Sequence, residues 1–308
     1  MSASDEILTA GVVRAPSEAR PVTCTLRSFV TLAKPEITFM VMISAGIASV
    51  MASESLRVAV LVHSVVGTGL FAAGASILNQ YLERELDGRM RRTARRPLPA
   101  GELTPRQALA FGIAVSLSGM VYVLVLLNAL TALLGLLTLI LYAFAYTPLK
   151  TRSSWCTFIG AFPGAAPVLM GWSATTNSLS LEAWTLFAML FLWQFPHFYA
   201  IGWLYREDYA RAGMHMLPSL HGDDERITFR LVLITTQLLI AASLLLPLIA
   251  HTGRLYFVTV VILDISFYYV AYQASLQRSK LAAKRLLHAS VIYLPLLYLS
   301  LIVDRLNQ

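Results

Sequence analysis

The stretch Asn79-Gln80-Tyr81-Leu82-Glu83-Arg84-Glu85-Leu86-Asp87 continues straight out of a long apolar run, and Gly88-Arg89-Met90-Arg91-Arg92-Thr93-Ala94-Arg95-Arg96-Pro97-Leu98-Pro99-Ala100-Gly101 follows it. Asn79, Glu83 and Asp87 recur at every fourth position. If the helix of the apolar run persists through them, each step turns about 40° and climbs about 6 Å, so the three side chains form a row on one face. Hard oxygen ligands beside a cluster of guanidinium groups suit a divalent cation and a polyphosphate anion. The plainer reading is a solvated helix end, with Glu83 pairing with Arg84 and Asp87 with Arg91. At a membrane surface the first reading points to a lipid diphosphate.

Outward from that stretch the chain reads as a membrane protein. It has 308 residues, of which 57% are hydrophobic and 13% charged, far from the composition of a soluble domain. A spanning helix needs about 20 apolar residues, and such runs fall near 36–53, 58–80, 106–126, 129–148, 156–174, 182–204, 229–250, 255–275 and 287–303. The expectation is an all-α integral membrane protein with nine transmembrane helices. With a cytoplasmic N-terminus, one side carries Arg14, Arg20, Arg27 and Lys34, then the seven arginines from Arg84 to Arg106. It also carries Lys150, Arg152, Arg206, Arg211, Arg226, Arg230, Arg278, Lys280, Lys284 and Arg285. The opposite side keeps Arg57, Arg254 and Arg305. This is the positive-inside pattern, and it sets the polar row on the cytoplasmic face. The net charge of +7 then reports topology and an anionic substrate, and calls for no nucleic acid partner.

Residues 1–33 are expected to be a disordered cytoplasmic tail and residues 34–308 a single membrane domain. The tail has Asp5, Glu6 and Glu18 and no apolar run at its start, unlike a secretory signal or a mitochondrial presequence, which points to a bacterial inner membrane. Cys24 and Cys156 have no metal, disulfide or heme-attachment spacing. The two long cytoplasmic connections, 81–105 and 205–228, each open on acids and close on a proline signal, which points to two related halves facing each other.

Several other residues carry candidate chemistry. Glu207 and Asp208 form a second acidic helix end. Arg91, Arg92, Arg95, Arg96, Lys150 and Arg152 are candidate diphosphate ligands; each could equally anchor the chain at the headgroups. His197, beside Pro196 in an apolar run, is an ionisable group within a span and therefore a functional suspect, against the plain reading of a hydrogen-bonded structural histidine. His63 is a weaker second choice. Asp264 reads as structural. The aromatic residues Trp172, Trp193, Phe195, Phe198, Tyr199 and Trp203 could line an isoprenoid tunnel or stabilise a carbocation, or face lipid.

The run Asn79-x3-Glu83-x3-Asp87-x2-Met90-x-Arg92-Thr93-x2-Arg96-Pro97-Leu98-Pro99-x-Gly101 resembles the first signature loop of the UbiA superfamily of intramembrane prenyltransferases, most closely its heme-farnesylating branch. Tyr146-Thr147-Pro148-Leu149-Lys150, the Gly160–Gly171 block, Trp193-Gln194-Phe195-Pro196-His197-Phe198 and Asp208-Tyr209-x2-Ala212-Gly213-x2-Met216-Leu217-Pro218 agree in order. The resemblance covers nearly the whole chain from Lys34. It implies a helical bundle around a central cavity, with Asn79, Glu83 and Asp87 holding Mg²⁺ on the diphosphate of a prenyl donor and Asp208 completing the metal site from the facing loop. Leu204 and Ala212 stand where many relatives have further acids around that position, so one well-held ion and one weaker one are expected. The resemblance further implies farnesyl diphosphate as donor and a vinyl group of heme b as acceptor. His197 would ligate the iron or orient a propionate, Lys150 would act in catalysis, and a downstream heme-modifying enzyme would take the product. An aromatic quinone or another tetrapyrrole precursor is the alternative acceptor. A transporter or assembly factor is the alternative of another class, but transporters keep their charges near the midplane, and these acids sit at cytoplasmic helix ends.

Overall fold

The computed structural model describes residues 25–53, 55, 57–219, 225–250 and 252–307. The Thr25 hydroxyl accepts the Ser28 N–H and so starts α1 (Leu26–Leu32), a helix inside the stretch expected to be tail. It is pinned because Ser28 Oγ donates to Glu102 Oε2 at 2.7 Å and Leu32 is buried with Ile77, Leu98 and Leu103. Residues 1–24 of that expected tail lie outside the described residues. Lys34 takes a left-handed φ of 47°, and Pro35 opens α2 (Pro35–Met51) at a 51° bend to α1. A proline there loses nothing, since the first N–H of a helix has no intrahelical acceptor.

Helix α3 (Val58–Arg89) runs through the whole polar row without a break. A Thr104/Gln107 capping box opens α4 (Pro105–Leu126), and Asn128 caps α5 (Ala129–Ile140). A π-helical turn, Leu141–Tyr146, leads into the short α6 (Thr147–Leu149). The chain continues as α7 (Cys156–Thr176), α8 (Leu181–Leu204), α9 (Arg206–Arg211), α10 (Glu225–Ile249), α11 (Arg254–Gln277) and α12 (Lys280–Leu306). The all-α expectation holds among the described residues.

Among the described residues six helices are long and apolar enough to cross a membrane, or seven when α1 and α2 count as one bent span. This falls short of nine. The helices α7 and α8 have the length, at 21 and 24 residues, but they carry Thr157, Gly160, Pro163, Gly164, Gln194 and His197 toward the interior. Polar lining lowers hydropathy without removing the helix.

Tight packing needs small residues where helices touch. A Cβ added at Gly171 would overlap the backbone carbonyl of Ala45, and one at Gly74 would overlap Ser116 Oγ, so α2 lies close on α7 and α3 on α4. Between α2, α3, α7, α8 and α12 is a cavity of about 750 Å³. At the far end of α3, Arg57 donates to the Thr175 carbonyl at 2.9 Å and Arg305 to the Ser53 carbonyl at 2.6 Å. Two of the three basic residues expected on the external side are thus gathered at one end. Asp264 accepts hydroxyls from Ser243 and Tyr293 at 2.6 and 2.7 Å, tying α11 to α10 and α12 away from the cavity, consistent with a structural role.

Candidate functional site

The row on α3 is buried: Asn79 is 1% exposed, Glu83 3% and Asp87 0%. A solvated helix end would not be. Nor are the local pairs made, because Arg84 meets Glu85 at 3.5 Å and each member of the row instead meets a cation from elsewhere in the chain. Lys34 Nζ donates to Asn79 Oδ1 at 3.1 Å. Lys150 Nζ lies 2.6 Å from Glu83 Oε1. Arg96 Nη1 lies 2.7 Å from both carboxylate oxygens of Asp87. The result is a ladder of three cation–oxygen rungs down one end of the cavity.

Local structure explains each rung. The left-handed turn at Lys34 re-aims the chain between α1 and α2, and Lys34 lines the cavity. The π-helical turn presents Tyr142 and Tyr146 to the same cavity, as such turns often do at functional sites. Thr147 Oγ1 accepts from Asn79 Nδ2 at 3.0 Å and donates to the Tyr142 carbonyl at 2.8 Å, which fixes the amide with its oxygen toward Lys34. Lys150 follows α6 and lies 4.4 Å from the Tyr146 ring centroid. Burial disfavours its charge, but the Glu83 carboxylate outweighs burial and holds the ammonium well above the ordinary lysine range. Thr93 Oγ1 donates to the Asp87 carbonyl at 2.8 Å, folding the arginine loop back so that Arg96 reaches Asp87.

The facing loop closes over this end. Arg92 donates to the Tyr209 hydroxyl at 3.0 Å and stacks over Tyr205 and Tyr209. Met90, Cys156, Tyr209, Met214 and Met216 form one apolar cluster, and the His215 N–H donates to the Lys150 carbonyl at 2.6 Å. Asp208 does not join the row: its Oδ1 accepts from Arg211 at 2.9 Å, and it is absent from the cavity wall, which takes Tyr209 instead. Glu207 pairs with exposed Lys280 at 3.0 Å, and that ammonium keeps its carboxyl below the usual range. Of the candidate diphosphate ligands, Arg92, Arg96 and Lys150 line the cavity, while Arg91, Arg95 and Arg152 are exposed outside it. All six bear the same charge, and only the fold of the two loops separates them.

Further into the bilayer the same cavity is lined by Phe71, Met170, Leu190 and Leu294, and by His197 on its α8 wall. His63 is elsewhere, bonded through Nδ1 to the Tyr122 hydroxyl at 2.8 Å. Trp193 and Phe198 line the cavity, whereas Trp172 and Trp203 are buried in a core cluster of the bundle.

Among the described residues no three His, Cys, Asp or Glu side chains are gathered for a metal ion: the row has two acids, Glu83 and Asp87, and Asp208 is turned to Arg211. The donor set nevertheless fits Mg²⁺. Asn79, Glu83 and Asp87 offer hard oxygens on one cavity wall, and Glu83 Oε1 is buried with no hydrogen bond of regular geometry beyond its contact with Lys150. Mg²⁺ takes few protein ligands and fills its octahedron with water and phosphate oxygens.

The fold sets a buried oxygen row facing cations at the mouth of a largely apolar cavity, and the chain belongs to the UbiA prenyltransferase family, which its residues 39–294 match. Within that family it is similar to the protoheme IX farnesyltransferase of Solibacter usitatus (strain Ellin6076), 43% identical over 290 residues that cover 91% of this chain and 99% of that one. The protoheme IX farnesyltransferase of Koribacter versatilis (strain Ellin345) is 39% identical, over 91% of this chain and 94% of that one. The fold is that of a digeranylgeranylglyceryl phosphate synthase (TM-score 0.75, 17% identity, 92% of this chain and 99% of that one). It is also that of a UbiA homologue from Archaeoglobus fulgidus bound to DMAPP and Mg²⁺ (TM-score 0.61, 15% identity, 90% of this chain and 99% of that one).

Lys34, Thr147 and the two tyrosines of the π-helical turn escape the sequence reading as site residues. Lys34 is separated from Asn79 by 45 positions, and Tyr146-Thr147 stands out in the sequence only as part of a matching block.

Proposed function

We propose that this protein transfers the farnesyl group of farnesyl diphosphate to a vinyl group of heme b, giving heme O for terminal oxidases, in a bacterial inner membrane with the site on the cytoplasmic side. The observation that carries the reading is one continuous cavity with the charged ladder at its mouth and an apolar interior beside His197. The close relatives named above support heme b as acceptor and farnesyl as the transferred group. On this reading α7 and α8 also cross the membrane, making nine spans.

Asn79, Glu83 and Asp87 would hold Mg²⁺, and Asp208 would assist from the facing loop only by giving up Arg211, its partner in this structure. Bound there, Mg²⁺ would draw charge from the departing diphosphate. Lys34, Lys150, Arg92 and Arg96 then meet the diphosphate oxygens as its carbon–oxygen bond breaks, and pre-placed cations lower that barrier. The ladder supports an exchange of partners, in which each cation gives up its oxygen in the row for a phosphate oxygen. The apolar wall keeps water from the allylic cation until the vinyl carbon attacks it. A carbon–carbon bond forms, pyrophosphate leaves, and water adds to the other vinyl carbon with loss of a proton, giving the hydroxyethylfarnesyl side chain. A downstream heme-modifying enzyme would receive the product.

Asp87→Asn tests this directly. It is expected to lower farnesyl transfer by about 10²–10³-fold, the range for loss of one charge-stabilising group, while the protein still elutes as a folded species. Turnover within twofold of wild type would remove the row from the mechanism.

A further inference from the structure

His197 meets Ser290 of α12 through its Nδ1, at 2.9 Å from the Ser290 Oγ. The same Oγ lies 2.7 Å from the Leu287 carbonyl, to which it donates. A hydroxyl has one proton to give and a carbonyl has none. Both contacts are hydrogen bonds only if the serine proton goes to Leu287 and the imidazole proton sits on Nδ1. Ser290 itself is 0% exposed, so no water competes for its oxygen. A neutral imidazole with its proton on Nδ1 has its lone pair on Nε2, the nitrogen left to the cavity that His197 lines.

Trp193, one turn earlier on α8, completes the mount. Its ring stacks on the imidazole at 4.7 Å between centroids and 21° between planes, and its Nε1 donates to the Ser290 carbonyl at 2.9 Å. Ser290 therefore holds the histidine through its hydroxyl and the tryptophan through its carbonyl. Tautomer and ring plane are both fixed from the protein side. This is the arrangement of a metal-ligating histidine, whose second nitrogen is held by an outer partner.

We propose that Ser290 and Trp193 are positioning residues that hold His197 as the Nδ1–H tautomer, so that its Nε2 ligates the iron of the heme acceptor. The inference rests on heme b being that acceptor. A porphyrin anchored through its iron is fixed in the cavity while its vinyl edge stays free for the donor.

The test uses the full-length protein in detergent, titrated with heme b and followed by absorption and electron paramagnetic resonance, with farnesyl diphosphate kinetics alongside. Wild type is expected to show a histidine-ligated heme, and His197→Ala to lose that signature and regain it with added imidazole. Ser290→Ala is expected to bind heme about 10-fold more weakly, the lower end of outer-partner effects, with its KM for farnesyl diphosphate within twofold of wild type. Ser290→Thr, which keeps the hydroxyl, should restore the spectrum, and Trp193→Phe, which keeps a ring but loses the donor, should fall between. A Ser290→Ala protein with wild-type heme affinity and spectrum overturns the inference while leaving heme farnesylation standing. A wild-type protein that farnesylates heme without a histidine-ligated spectrum also overturns it. Wild type that neither binds nor farnesylates heme b overturns the underlying reading and this inference together.

Discussion

Each oxygen-bearing side chain of the α3 row is matched to one cation, and the matches differ in burial. Lys150 and Glu83 are only 12% and 4% exposed at their side chains, so removing one partner strands a buried charge, a loss of about 3–5 kcal/mol. Lys150→Met is therefore expected to lower both transfer and thermal stability. Arg152→Met, which removes an exposed charge, should change stability by about 0.5 kcal/mol or less. The double variant Glu83→Gln/Lys150→Met should recover part of the lost stability without recovering activity, because the stranded charge is gone while the ligand is not restored. Melting curves of the three proteins in one detergent check this; equal melting temperatures for Lys150→Met and wild type would contradict it. At this scale the row itself was legible, because a period of four residues on a persisting helix fixes a face whatever surrounds it. Lys34 was not, because its role depends on a left-handed turn at a helix junction. Nor could Arg96 be told from Arg95, since which guanidinium reaches Asp87 is decided by the Thr93 contact that folds the loop.

At the scale of elements, α3 and α4 are readable from apolar length. The interior helices α7 and α8 read as spans from the same apolar signal, but their cavity-facing prolines, glycines and polar groups keep them below the hydropathy of the lipid-facing helices. The π-helical turn was not legible at all, since one extra residue per turn leaves no mark on an apolar pattern. What holds α7 against α2 is the missing side chain at Gly171, where a Cβ would overlap the Ala45 carbonyl. A backbone group cannot rotate away as a side chain can. Gly171→Ala is expected to force the two helices apart and to destabilise by about 1–3 kcal/mol, the usual cost of overpacking, with loss of heme and donor binding together. A variant as stable as wild type in a thermal shift assay would show that α2 and α7 are free to slide.

For the whole molecule, charge and geometry divide the bundle in the same way. Lys34, Arg96 and Lys150 converge at the C-terminal end of α3, and Arg57 stands at its N-terminal end. If the basic end is cytoplasmic, Ser178 between α7 and α8 faces the other side. With Cys24 and Cys156 replaced by alanine, an impermeant maleimide added to intact spheroplasts should label Ser178→Cys. It should label Arg95→Cys only after lysis, and the reverse pattern would invert the topology.

Donor and acceptor are expected to meet in the cavity beside the ladder. Purified protein incubated with Mg²⁺, farnesyl diphosphate and heme b, followed by mass analysis of the extracted porphyrin, tests it most directly. The expected product is heme carrying a hydroxyethylfarnesyl group, dependent on Mg²⁺ and lost in Asp87→Asn. Unmodified heme under conditions where the protein binds farnesyl diphosphate, or farnesyl found on a different acceptor, would contradict it.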